Sequence, residues 1–508
     1  MTTLLPRPRF SEPPLSGATL TSPILVAAPV SLATEVATFA EDMAASVGWL
    51  IQEIADAEGA CIRVQLDESM HPEGFSLQVD GVIDIVVGSA TGLTYAFGAL
   101  RQMGPPMLFG EGRSLDSWTL EGLNFYDEPT YAWRGCHLDV SRHFFDVATV
   151  CRHIDLIAMH RLNRLHLHLN DDQGWRIEIP HWPRLTSVGA FRSGSPVGHE
   201  LDDVRDTVPH GGFFTAADVA VIRAHATKRH VQLMPEIDLP GHAQAVLAAY
   251  PEFGNTDESL EVWTHWGISH HVLNVAPATL DFAEDVVRYV ASLFPGSPVH
   301  IGGDECPSDE WGQSADARAV MAAHGFSSPG QLQGLYTSRL AGALMADGHE
   351  VVAWDEVLDA DVTPGTIIAA WRSADKGIEA ARRGLDVIMA PEQVLYLDVL
   401  NSDAPGEPVA ISPLPRVTTW QDVYGVTITP PTLDEALHHH IRGAQVQLWT
   451  EYIATRDHLD YMAFPRLCAF AEAVWGSATS VDEFRPRLEE HLERLRQMGV
   501  AFRPLDGA

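Results

Sequence analysis

Positive charge and cysteine are both scarce in this chain. Lys and Arg number 33 against 68 Asp and Glu, a formal net charge of −35. Such a field repels phosphate backbones and anionic lipid, so nucleic acid is not expected as a partner, whereas a neutral sugar is compatible with it. The 5 cysteines, Cys61, Cys136, Cys151, Cys306 and Cys468, are odd in number, widely scattered and contain no CxxC pair. That argues against a disulfide framework or a zinc knuckle and reads as reduced thiols. Long apolar runs are missing as well. No stretch of about 18 apolar residues is present to span a bilayer. The N-terminus, Met1-Thr2-Thr3-Leu4-Leu5-Pro6-Arg7-Pro8, lacks the continuous apolar segment of a secretory leader. The expectation is a cytoplasmic protein that does not enter a membrane.

What is present is enough apolar material, 46% of 508 residues, to fill a large core and more than one domain. The first part alternates like strands at Cys61–Leu66 and Ile83–Val87 and turns helical around Leu93–Leu100. It reads as a small N-terminal α/β domain over residues 1–127. Turn residues at Tyr126-Asp127-Glu128-Pro129-Thr130 suit a boundary, which leaves 128–508 as a second domain.

In that second part, short apolar runs alternate with helical patterns, the signature of repeated βα units around a parallel sheet. The runs are Gly135–Asp139, Arg164–Asn170, Val231–Asp238, Val299–Glu305, Glu350–Glu356, Thr366–Trp371, Asp386–Ala390 and Ala444–Glu451. Amphipathic stretches at Val147–Arg161, Ala216–Arg229, Asp281–Leu293 and Gln331–Met345 fall between several of them. Eight strands with intervening helices predict a (β/α)8 TIM barrel, whose chemistry sits at the C-terminal ends of the strands. The long connections after the second and seventh runs are candidate walls of a cleft.

Those strand ends carry Asp139 and Arg142, Asp171 and Asp172, Asp238 and His242, Asp304 and Glu305, Trp354-Asp355-Glu356, Trp371 and Arg372, and Trp449 and Glu451, with Tyr396 and Asp398 following the seventh run. Carboxylates mixed with tryptophans suit a sugar, whose hydroxyls want acceptors and whose C–H faces stack on rings. Asp304 and Glu305 pose a problem for ordinary glycosidase chemistry, because a retaining enzyme holds two carboxyls about 5 Å apart across the bond to be cut. Neighbours on a strand point to opposite faces. Both reach one site only if the chain is already turning at Gly302-Gly303, and even then another nucleophile is required.

The motifs Arg134-Gly135, Leu138-Asp139, Ser141-Arg142-His143-Phe144, His166-Leu167-His168, Asp171-Asp172-Gln173, Pro235-Glu236-Ile237-Asp238, Pro240-Gly241-His242, His300 to Glu305, Trp354-Asp355-Glu356 and Leu448-Trp449-Thr450-Glu451 occur in order through the barrel. Together they resemble glycoside hydrolase family 20, the exo-acting β-N-acetylhexosaminidases. The resemblance implies substrate-assisted catalysis, in which the substrate's acetamido oxygen attacks its own anomeric carbon to form an oxazolinium ion. It makes Glu305 the general acid and base, and Asp304 an ionised orienter of the acetamido group. Tyr396 would hydrogen-bond the acetamido carbonyl, and Trp354, Trp371 and Trp449 would enclose its methyl group. Arg134, Asp398 and Glu451 match positions that bind sugar hydroxyls. Asp171 and His242 match the substrate-binding region and form, with Asp238, a polar network beside the acid. Trp420 is a candidate platform for the leaving group, with a core role the alternative, and Cys306 reads as a small buried residue.

No metal and no cofactor are expected, and the partner is a small carbohydrate. Since the chain stops soon after its last helical pattern, soluble oligosaccharides are favoured over insoluble chitin. Two rivals stand beside this reading. One is a metal-dependent amidohydrolase using His166 and His168, which share a strand face. The other is a sugar-binding protein without chemistry.

Overall fold

The computed structural model describes residues 3–11, 15–202, 204–410 and 416–505, so the reading of Met1 and Thr2 lies outside the described residues. Eight parallel strands close into a barrel: β1 (Trp133–Asp139), β2 (Arg164–His168), β3 (Gln232–Glu236), β4 (Val299–His300), β5 (Val351–Trp354), β6 (Ile367–Ala370), β7 (Val387–Met389) and β8 (Ile441–Val446). Closure is made by β1 against β8, with Trp133 opposite Gly443 and Cys136 opposite Val446.

Around the barrel lie α1 (Val147–Met159), α2 (Ala216–Lys228), α3 (Pro277–Leu293), α4 (Gln333–Ala346) and α5 (Ala374–Arg382), followed by α6 (Arg466–Trp475) and α7 (Val481–Gln497). Local chemistry starts these helices where the pattern does. Asp146 accepts from Thr149 N ahead of α1, and Thr215 with Asp218 closes a reciprocal cap on α2. The inward face of α1, with Val150, Ile154, Leu156 and Ile157, is buried against the strands.

Most strands fall within two residues of the expected runs at each end, and two, β4 and β8, depart further. β4 ends at His300, not Glu305, because Gly302 and Gly303 take φ values of 64° and 101°, outside any extended conformation. β8 runs from Ile441 to Val446, after which Gln447 still bridges Tyr396 and Leu448 O accepts from Asp139 N at 3.1 Å, while residues 448–451 lie outside the strand. The connection after β2 holds two short hairpins, Asn170–Asp171 with Gly174–Trp175 and Phe191–Arg192 with His210–Gly211.

The N-terminal part is a seven-stranded sheet backed by helices Ala33–Val47 and Ala90–Gln102. Its last strand in the chain, Leu123–Asp127, ends just before β1 begins. The two parts are locked by buried polar contacts. Arg161 pairs with Asp127, and Trp475 Nε1 donates to Asp127 Oδ1 at 2.9 Å. Among the described residues no helix is long and apolar enough to cross a membrane.

Candidate active site

Downstream of β4 the backbone bends, and this bend sets the site. Asp238 Oδ1 accepts from Gly303 N at 2.8 Å, and Trp354 N donates to Gly302 O at 3.1 Å, which pin the turn to the ends of β3 and β5. Glu305 follows at φ 45°, a left-handed conformation that a side chain rarely adopts, and His242 does the same at 47°. The turn brings Asp304 and Glu305 into one cleft despite their adjacency. Asp304 is 8% exposed, while the Glu305 side chain stands 38% exposed at the rim.

A chain of charges runs behind them. His242 Nε2 lies 3.9 Å from Asp304 Oδ2 and 3.8 Å from Glu305 Oε2, and its Nδ1 lies 3.2 Å from Asp171 Oδ1. Asp171 Oδ2 meets Arg142 Nη2 at 2.8 Å and His168 Nε2 at 2.9 Å. Arg142 also pairs with Asp139 at 3.2 Å, approaches Glu451 at 3.8 Å and lies over the Trp449 ring at 5.0 Å. Deeper in the barrel, His168 Nδ1 meets Glu236 Oε2 at 2.5 Å.

These contacts set proton affinities. Burial works against the His242 imidazolium, but Asp171 beside it holds its pKa well above the usual value. Burial likewise opposes a charged His168, yet Glu236 and Asp171 raise it to about 10. Burial would raise Asp171, but Arg142 and His242 keep it well below the carboxylate range. Asp238 goes the other way, pushed up to about 7 chiefly by burial. Asp304 is held well above its usual value by burial and by Asp238. Two carboxyls in one dry niche cannot both ionise freely, so Asp238 and Asp304 titrate as a pair. Burial and Asp238 thus oppose the ionised form of Asp304 that the resemblance implies.

Across the cleft, Trp371, Tyr396 and Trp449 form an aromatic wall, with Tyr396 6.1 Å from Trp371 and 6.4 Å from Trp449 between ring centroids. Trp371 Nε1 donates to Glu356 Oε2 at 3.0 Å, which fixes the ring. Asp398 and Glu451 also line the cleft, and among the described residues both Asp398 oxygens and Glu451 Oε2 are buried without a hydrogen-bond partner. Burial and Glu451 raise Asp398 to about 8. Acceptors left bare at a cleft wall are suited to hydroxyl donors.

The catalytic-domain model of glycosyl hydrolase family 20 matches residues 131–478, and the model of that family's domain 2 matches residues 1–121. This chain belongs to glycoside hydrolase family 20. It is 35% identical over 454 residues to a beta-hexosaminidase of Porphyromonas gingivalis, covering 88% of this chain but 57% of that protein, so it spans little more than half of that relative's length. A beta-N-acetylhexosaminidase of Cellulomonas fimi is 31% identical over 509 residues, covering 96% of this chain and 93% of that one. Among solved structures, a family 20 exo β-N-acetylglucosaminidase of Vibrio harveyi in complex with N-acetylglucosamine has a TM-score of 0.89 at 29% identity, covering 99% of this chain and 78% of that one. A family 20 β-N-acetylhexosaminidase of Streptomyces coelicolor has a TM-score of 0.86 at 29% identity, covering 100% and 98%.

Within this family 20 barrel, the cleft gathers Asp304, Glu305, Trp371, Tyr396, Asp398, Trp449 and Glu451. Asp171, Asp238 and His242 stand behind the two acids. Trp354 lies beneath the wall, 1% exposed, with its ring 6.1 Å from Trp449 and its Nε1 donating to Glu236 Oε1 at 2.8 Å. It supports the floor from below.

Arg134 is not brought to the cleft. It sits near the start of β1, at the opposite end of the barrel, where Nη1 donates to Glu73 Oε2 at 3.1 Å, Nη2 to Tyr95 Oη at 3.0 Å and Nε to Arg161 O at 2.8 Å. Its role is to join the two domains. Arg142, a strand-end residue to which the sequence motifs assign no substrate contact, does line the cleft. Glu392 and Arg416, paired at 3.1 Å on the cleft wall, were missed, because Glu392 opens a helix of only four residues and Arg416 lies outside any regular element, so neither has a period to read.

Trp420 is 5% exposed and packs on Phe484 with centroids 5.7 Å apart, so it is a core residue and not a platform. Burial pushes the Cys306 thiol well up, consistent with an inert side chain. His166 and His168 share a face as expected, but both are fully buried beneath the floor, against Glu236. A catalytic metal needs an open position for water or substrate, which that burial denies.

Proposed function

We propose that this chain is an exo-acting β-N-acetylhexosaminidase, removing terminal non-reducing N-acetylglucosamine or N-acetylgalactosamine from oligosaccharides with retention of configuration. The observation that carries this reading is the turn at Gly302-Gly303. It sends two consecutive carboxyls into one cleft, both within 4 Å of His242 Nε2. They share one side of the site, so they do not straddle a glycosidic bond as acid and nucleophile. The nucleophile then comes with the substrate.

In this mechanism the acetamido oxygen attacks C1 as the bond from C1 to the leaving oxygen breaks, and the rim carboxyl Glu305 delivers its proton to that oxygen. The acetamido nitrogen becomes cationic. Asp304, deep beside the aromatic wall, meets that charge, which supplies the counter-ion that burial and Asp238 withhold. Trp371, Tyr396 and Trp449 enclose the methyl group over the floor that Trp354 supports from below, and the Tyr396 hydroxyl holds the attacking oxygen. Glu305, now a carboxylate, takes a proton from water as its oxygen attacks C1, the ring opens and the acetamide is regenerated. Arg142, Asp398 and Glu451 bind the hydroxyls of the sugar. Asp171, charged and clamped by Arg142 and His168, positions His242 against both acids. No resident metal or cofactor takes part in this scheme.

Glu305→Gln tests the acid assignment. Cleavage of chitobiose, whose leaving oxygen needs a proton, falls by about 10²–10⁴. Cleavage of the 4-nitrophenyl glycoside, whose leaving group departs as the anion, falls much less. An unchanged chitobiose rate overturns the assignment.

A further inference from the structure

At the end of the barrel away from the cleft, three helices bring together side chains that the glycosidase reading does not use. His160 follows the last turn of α1, Cys468 lies in α6 and His491 in α7, and all three are fully buried. His160 Nε2 stands 3.3 Å from Cys468 Sγ and 2.9 Å from His491 Nε2, and the three donor atoms all lie within 4.8 Å of one another. They are 308 and 331 residues apart from His160 in the chain, so no motif announces them.

The hydrogens of this cluster do not balance. His160 Nδ1 lies 2.6 Å from Leu156 O, and a carbonyl only accepts, so Nδ1 carries the ring proton and Nε2 is a bare lone pair. That one lone pair faces two donors, the Cys468 thiol and His491 Nε2–H. Whichever loses is stranded in a dry interior. With its proton on Nε2, His491 also leaves Nδ1 as an acceptor, and Nδ1 has no partner among the described residues. Buried polar groups are normally satisfied, and a cluster that is not satisfied by itself points to something else it holds.

We propose that His160, Cys468 and His491 bind one thiophilic d10 cation, Zn²⁺ or Cu⁺. Two imidazole nitrogens and a thiolate are a ligand set that either ion accepts. On binding, the Cys468 S–H proton is released to solvent, the His491 proton moves to Nδ1, and three lone pairs point at one ion. The hydrogen bond from His160 Nδ1 to Leu156 O is the arrangement that orients metal-bound histidines. Burial depresses the proton affinity of both imidazoles, His160 to about 4, and raises that of the thiol. The imidazole lone pairs therefore stay free at neutral pH, and the thiol ionises only against a cation. The bound ion ties α6 and α7 to the end of α1. Through α7 it also secures the N-terminal domain, since Arg494 donates to Gln102 O at 2.7 Å.

The test uses the purified full chain, stripped with a chelator and gel-filtered after incubation with Zn²⁺ or, under anaerobic reducing conditions, with Cu⁺. Co²⁺ serves as the spectroscopic probe. The wild type is expected to retain one equivalent of Zn²⁺ or Cu⁺, to gain about 3 °C or more in Tm, and to show a thiolate-to-cobalt charge-transfer band. Cys468→Ser is expected to lose the band and the Tm gain while keeping its glycosidase rate. His491→Gln gives the same comparison if Cys468→Ser does not fold. A wild type that retains neither ion, or a band that persists in both variants, overturns the proposal.

Discussion

Gly302 stands so close to Asp238 that a Cβ built on it would lie 1.9 Å from Asp238 Oδ1 and 2.4 Å from Asp238 Cα. At φ 64° the position is also one that only glycine adopts without cost. The close approach keeps the turn short, and the short turn puts both acids in the cleft.

Gly302→Ala is therefore expected to act on both stability and rate. A left-handed alanine costs about 1–2 kcal/mol, and overpacking against Asp238 adds about 1–3 kcal/mol. Because the added carbon pushes on the turn that aims Glu305, kcat should fall by about 100-fold or more. Denaturant unfolding and steady-state rates on the same sample check both halves.

Arg134 and Arg142 should separate cleanly in kinetics. Arg134→Lys loses the fork that spans Glu73, Tyr95 and Arg161, and should cost about 2 kcal/mol or more of stability with KM within about twofold of wild type. Arg142→Lys breaks the clamp on Asp139, Asp171 and Glu451 and should raise KM about tenfold or more, the loss of one charged hydrogen bond to a sugar hydroxyl. A KM increase confined to Arg134→Lys would restore that residue to the substrate site.

The buried carboxyls should make the fold less stable in alkali. Asp238 is raised from 3.8 to about 7, so the folded state binds its proton more tightly than the unfolded chain does. Its contribution is complete below about pH 4 and is lost as pH rises through about 7. Asp304 and His242, both raised, face the same group and act in the same direction, whereas Glu236, which also faces it, is held well below the carboxylate range by His300, His168 and His166 and acts in the opposite sense. Asp238→Asn removes the titration but leaves an acceptor for Gly303 N. Relative to wild type, the variant should gain on the order of 2 kcal/mol between about pH 5 and pH 8.5, measured by urea unfolding at each pH.

The barrel was legible because its strands are short, apolar and separated by helical periods, and because acids and tryptophans mark their ends. Even the turn at Gly302-Gly303 was readable, since two adjacent acids in one site demand it. What misled was Arg134. A residue near the start of a barrel strand belongs to the bottom of the barrel, and its partner Glu73 comes from another domain, 61 residues earlier. Applied strictly, the rule that chemistry sits at strand ends selects Arg142. The charge states of His168 and Asp238 were not legible at all, because they depend on which carboxylates face them across the barrel.

The central claim is that the substrate brings its own nucleophile, and one comparison tests it most directly. Rates are measured on 4-nitrophenyl N-acetyl-β-glucosaminide and on 4-nitrophenyl β-glucoside, which differ only in the acetamido group at C2. An oriented internal nucleophile is worth effective molarities of about 10⁵–10⁸ M, so kcat/KM should favour the acetamido substrate by about 10⁴ or more. Comparable values on the two would mean that a protein side chain attacks C1, and the substrate-assisted account would be wrong.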